Sequence, residues 1–270
     1  HTSIVKSPYD GSITDLEFLR FFPELRRFSA DAMYSNLADI DGLRHLSQDL
    51  RSLTLGQTKR KLSLRPLARF SQLRELYLEG HTKDIAVVAG LTEMRRLTFR
   101  SITLPDLTLF APLDKLEALD LKLGGTSNLA GIEAFQRLRY LELWMIRGFA
   151  DLEPITACRS LEMLFLQALK NVTALPDLSS LPRLMRVHLE TMKGLRDFSP
   201  LLTAPALEEV LLIDMGHLAP QDLAVLATHP NRKRASVGLG SDRKNAAVKQ
   251  LLRLPKAPYD KEAFLGDLSA

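Results

Sequence analysis

The residue types in this 270-residue chain best suited to acid–base or metal chemistry are its six histidines, at positions 1, 45, 81, 188, 217 and 229. Their spacing supplies neither use. No His-x-x-x-His pair occurs, and none is flanked by the glutamate that a helical metal site requires. His188, with Glu190 two residues on, could mimic an acid–base pair, but a lone surface histidine near carboxylates is ordinarily no more than that. Cys158 is the single cysteine, which excludes an intramolecular disulfide framework and any multi-cysteine zinc site. That usage fits a reducing compartment, so a cytoplasmic protein is expected. The start at His1 rather than Met suggests a trimmed chain, leaving a removed signal peptide or secretion as an effector open. No glycine-rich phosphate loop is present. The expectation is a protein that is not an enzyme and that holds no metal or cofactor.

Charge adds little to this. The chain has 36 basic and 32 acidic residues, net +4, with a pI near 9.2. So even a balance is weak support for a nucleic-acid partner, although the run Asn231-Arg232-Lys233-Arg234 is basic. No stretch of about 18 apolar residues exists that could form a membrane-spanning helix. With 46% hydrophobic residues the chain has ample material for a core, and the question becomes what the core looks like.

A repeat answers it. The pattern apolar-x-x-apolar-x-apolar opens at Leu25, Leu50, Leu73, Met94, Leu116, Leu138, Leu161, Leu184, Leu207 and, in degenerate form, Arg232. Each window ends in the alternation of a short strand. Between windows the apolar residues keep a spacing of three, as in Leu107, Phe110, Leu113 and Leu116, which suits 3₁₀ turns. Of 14 prolines and 14 glycines, none falls inside the ten six-residue windows, as strands require.

These windows resemble the leucine-rich repeat family, in the class with units of about 22 residues found in bacterial internalin-like proteins. The resemblance implies an α/β solenoid: a horseshoe with a parallel concave sheet, short helical or 3₁₀ convex segments and helical caps. One departure stands out. Where the family usually places Asn, three positions after the last strand leucine, this chain has residues such as His81, Ile102, Gly124, Ile146 and Met215. Other groups must then satisfy the turn's backbone. The expected organisation is a cap over 1–24, about ten repeats over 25–240, and a helical cap over 241–270. Towards the two ends, helices are expected over Ser12 to Phe22, Pro220 to Leu226, Asp242 to Leu252 with Ser241 as N-cap, and Asp260 to Leu268.

Alternation exposes three columns of side chains on the concave face. Tyr140, Trp144, Met163 and Phe165 sit on two neighbouring strands, and Leu211 and Ile213 lie two strands further on. Large apolar groups at solvent-facing positions predict a binding patch. Tyr77, Asp120, Glu142, Gln167 and His188 complete the candidate set as its polar surround. The alternative is that these side chains only strengthen cross-strand pairing. Cys158, in register with Leu152, Ile155 and Leu161, belongs to the core. The expected function is capture of a partner protein on the concave face, with an inhibitor or an immunity-type protein as candidate forms. A small-molecule substrate is not expected, and nucleic acid is the least favoured partner. The alternative is the recognition domain of a host-directed bacterial effector or of a larger enzyme.

Overall fold

The computed structural model describes residues 13–231 and 233–259. Ten strands form one all-parallel sheet in sequence order. They are β1 (Arg27–Ala30), β2 (Ser52–Leu55), β3 (Glu75–Glu79), β4 (Arg96–Arg100) and β5 (Ala118–Lys122), followed by β6 (Tyr140–Trp144), β7 (Met163–Gln167), β8 (Arg186–Glu190), β9 (Glu209–Ile213) and β10 (Arg234–Val237). Each strand lies within or just past one sequence window. The register aligns equivalent positions, with Leu97, Leu119, Leu141 and Leu164 as one continuous rung. The three concave columns are therefore real ladders across the sheet.

The apolar spacing of three has a direct backbone counterpart. Phe110 N donates to Leu107 O (2.9 Å), Leu113 N to Phe110 O (2.9 Å) and Leu116 N to Leu113 O (3.1 Å). Such i to i+3 bonds stack the four side chains on one edge of the arc, and all four are buried. Short 3₁₀ helices occupy most arcs, for example Arg65–Arg69, Glu153–Ala157 and Ser199–Thr203. Cys158 sits in this layer at 1% exposure, and burial pushes its thiol up to about 12, with Glu133 adding to the effect.

The ends differ in detail from expectation. The N-terminal cap is a 3₁₀ helix over Glu17–Phe21, shorter than the helix expected over Ser12 to Phe22, and Ser12 lies outside the described residues. Leu16 and Leu19 face the first coil, but Phe22 has left the helix at φ −136°, ψ 50° and is exposed. Pro220–Thr228 is likewise 3₁₀. The α-helix α1 (Asp242–Leu252) starts on Ser241, whose hydroxyl accepts from Lys244 N at 3.3 Å. The helix expected over 260–268, and Arg232 of the last window, lie outside the described residues.

How the turns manage without asparagine is now visible. Residues directly after strands take left-handed backbone although they are not glycine: Ser101, Leu123, Met145, Ala168 and Thr191, with φ between 50° and 55°. Each costs about 1–2 kcal/mol of local strain, and each extends the ladder by one bond. Leu123 N, for example, donates to Trp144 O at 2.9 Å, and Met145 N to Gln167 O at 2.8 Å. Deeper in the turns, side chains other than Asn bond the backbone. Buried His81 accepts from Leu62 N on Nδ1 (3.3 Å) and presents Nε2 to Gly56 O (3.0 Å). Thr126 accepts from Leu104 N at 3.0 Å.

Burial holds the His81 imidazole below the usual histidine range, against the opposing bond to Gly56 O. A histidine depressed in the folded state binds fewer protons there than when unfolded. Its stabilisation is therefore full above the ordinary value of about 6.5 and is lost as pH falls below it. His81→Asn, which keeps a donor and an acceptor but cannot titrate, should show a smaller drop in melting temperature between pH 7 and pH 5 than the native chain. Equal drops would mean that His81 does not carry this acid sensitivity.

Candidate binding face

The concave face divides into an open N-terminal half and a covered C-terminal half. On β3 and β4, Tyr77 donates its hydroxyl to Glu79 Oε2 (3.2 Å), and Glu79 Oε1 pairs with Arg100 Nε (3.1 Å). The Arg100 guanidinium then lies 5.1 Å over the Trp144 ring, linking β4 to β6 across the open surface. Tyr77 and Trp144 are both half-buried.

Next to this lies a buried ionic group. Lys122 Nζ sits 2.9 Å from Asp120 Oδ1 and 3.2 Å from Glu142 Oε1, while the carboxylates are 1% and 2% exposed. Thr98 Oγ1 donates to Asp120 Oδ2 at 3.2 Å, and the Tyr140 hydroxyl donates to Glu142 Oε2 at 2.7 Å. Burial raises the Asp120 carboxyl above its ordinary value; Lys122 pulls it back and Glu142 pushes it further up. Burial depresses the Lys122 ammonium, but the two carboxylates outweigh that and raise it.

The aromatic patch expected to be exposed is not. Tyr140 and Met163 are 0% exposed and Phe165 4%, and with Ala118 they form an apolar cluster distinct from the main core. Leu211, Asp120, Glu142 and His188 are buried too. Two causes are visible. Large side chains on adjacent parallel strands lie side by side and cover one another, as when Phe165 stacks on His188 at 4.0 Å and 6°. The second cause is a piece of the chain itself. Beyond α1 the segment 253–259 crosses the face from β10 towards β8. Pro255 O accepts from Ala235 N (2.9 Å), Ala257 O from the Ser236 hydroxyl (2.8 Å), and Pro258 O from Arg186 Nη2. Tyr259 sets its ring edge-on to His188 at 5.1 Å and donates its hydroxyl to Glu190 Oε2 at 2.8 Å. Leu211, paired between His188 and Ser236 in the ladder, lies beneath this segment.

Of the candidate residues, then, Tyr77, Trp144, Gln167 and Ile213 keep partial access to solvent. Gln167 is held by Nε2 to Glu190 Oε1 at 2.7 Å, so the Tyr259 hydroxyl and the Gln167 amide share one carboxylate. His188 Nε2 stands 3.4 Å from Glu190 Oε2, but between the Phe165 and Tyr259 rings it is a packed aromatic group. Outside the candidate set stand Lys122, Arg186 and Ser236, which the repeat already places on the concave columns, and Tyr259, which no repeat position covers. Burial, then the bond to Glu190, push the Tyr259 phenol up to about 12. The available signal was Pro255-x-x-Pro258, which after a helix end favours extended chain over another helix.

No protein-family model and no curated protein matches the sequence. Solved structures do. Internalin C2 of Listeria monocytogenes is 26% identical over 70% of this chain and 80% of its own, with a TM-score of 0.56. Internalin F of the same organism is 18% identical over 85% of this chain and 79% of its own, TM-score 0.53. A leucine-rich repeat protein of Leptospira interrogans is 15% identical over 91% and 80%, TM-score 0.52. No helix among the described residues is long and apolar enough to cross a membrane.

Proposed function

We propose that this chain, an internalin-like leucine-rich repeat solenoid, is a binding scaffold that captures a partner protein on its concave face. The observation that carries the reading is the continuous surface Tyr77–Glu79–Arg100–Trp144, which places two large rings and a fixed ion pair on the open part of the sheet. Aromatic and arginine side chains are the groups that dominate protein interfaces, and a polar surround orients the partner. The likeness to internalins and other leucine-rich repeat structures supports a binding scaffold generally. An inhibitor or immunity-type role, and use as the recognition part of a larger effector or enzyme, are finer versions of this reading.

The test is affinity capture from the source organism, followed by binding measurements on folded variants. Trp144→Ala and Tyr77→Ala should each weaken the captured partner by about 30-fold, corresponding to about 2 kcal/mol. A convex-side change such as Glu153→Ala should leave affinity unchanged. Unchanged affinity in both concave variants would move the interface to the edge loops or caps.

A further inference from the structure

The segment 254–259 reads Leu-Pro-Lys-Ala-Pro-Tyr. Its two prolines fix φ near −65° and lack N–H groups, so it is stiff and offers mainly carbonyls for pairing. The face beneath supplies matching donors. Ala235 N, the Ser236 hydroxyl and the Arg186 guanidinium meet the carbonyls of Pro255, Ala257 and Pro258, and Glu190 takes the Tyr259 hydroxyl. Ala257 is fully buried, while Tyr259 is 63% exposed, so the segment is anchored at Ala257 and shallow at Tyr259. It is not seated as core. A hollow of about 670 Å³ remains between it, α1 and the sheet, lined by Ile213, Val237, Val248, Leu252 and Pro255 among others.

We propose that β8 to β10 of the concave face form a docking groove for an extended, proline-bearing peptide that carries an aromatic hydroxyl next to its second proline. The chain's own residues 255–259 occupy it as a tethered competitor. The inference rests on the concave-face reading above and names the chemistry of the partner segment. Proline-bearing chains bind well because little conformational freedom is left to lose. A tethered copy acts at high effective concentration, so it masks the groove against a free peptide until it is displaced.

The experiment uses the full chain and a fluorescent Leu-Pro-Lys-Ala-Pro-Tyr peptide, read by anisotropy. A full-length variant with a loosened segment, Pro255→Gly/Pro258→Gly/Tyr259→Ala, should bind the peptide at least tenfold more tightly than the native chain. Adding Arg186→Met and Ser236→Ala, which remove two donors of the groove, should abolish that gain. Tyr259→Ala alone, at a mostly exposed ring, keeps the test available should the triple variant fold poorly; it should still gain about threefold. No tighter binding by either loosened variant overturns the proposal, as does equal binding of a peptide with both prolines and the tyrosine changed to alanine. The proposal then falls alone if the captured partner still depends on Trp144 and Tyr77. A partner indifferent to those two, with the peptide binding as expected, instead removes the N-terminal patch and keeps the groove.

Discussion

Lys122→Met should destabilise the protein by about 3–5 kcal/mol at pH 7, the usual penalty for removing one partner of a buried ionic group. Asp120 and Glu142 are both nearly inaccessible, and Lys122 is the cation that stands within 3.2 Å of each. Methionine fills much the same volume, so the loss is electrostatic rather than a cavity. Its pH dependence follows from Asp120. A carboxyl raised in the folded state binds protons there that the unfolded chain has released, so its stabilisation is full below the ordinary value of about 3.9 and fades as pH rises through the folded value. Without Lys122 the raising influences of burial and Glu142 act unopposed. The deficit of the variant should therefore be largest at neutral pH and shrink towards pH 5, as measured by urea melts at several pH values. Lys122→Met/Asp120→Asn should recover part of it. A variant that melts like the native chain at pH 7 would show the carboxylates to be solvated in solution.

That ionic group also marks where sequence legibility stops. Strand positions, register and face were all readable, because apolar windows at 21- to 25-residue spacing leave only one way to stack the coils. Cys158 in the core and Ser241 capping α1 follow from local pattern in the same way. Tyr140 was correctly placed on the concave face, and its burial was not foreseen, because facing away from the core is a property of the strand while burial depends on what else arrives. What arrives includes Pro255 to Tyr259, a segment with no repeat and no periodicity, tied to Ala235, Ser236, Arg186 and Glu190 by bonds that span 20 to 72 residues in sequence. The same limit hid the pairing of Lys122 with two carboxylates on adjacent strands. The columns held all three residues, but not the rotamers that bring them together.

Gly124→Ala should be the most damaging glycine-to-alanine change among the described residues, by roughly 3 kcal/mol, the upper part of the range for overpacking. Gly124 stands where the family's asparagine would be, in the turn after β5, and the backbone of the preceding turn comes straight onto it. A Cβ there would lie 1.9 Å from Ile102 O and 2.9 Å from Ile102 C. Both atoms are backbone, so no side chain can rotate away; the coils themselves must part. The turn is also tied in place, with Gly124 O accepting from Arg147 N (2.8 Å) on one side and Gly125 N donating to the Thr103 hydroxyl (3.0 Å) on the other. In a solenoid each unit contacts only its neighbours, so stability is a sum of unit and interface contributions. Forcing apart one interface near the middle should therefore broaden or split the melting transition as well as lower it, the coils before β5 uncoupling from those after it. Gly90→Ala is the control: an added Cβ there meets nothing within 4 Å, and the change should be neutral or slightly stabilising through the unfolded chain. If Gly124→Ala keeps one sharp transition within about 1 kcal/mol of the native chain, the turn can slide, and glycine is not what replaces asparagine at this position.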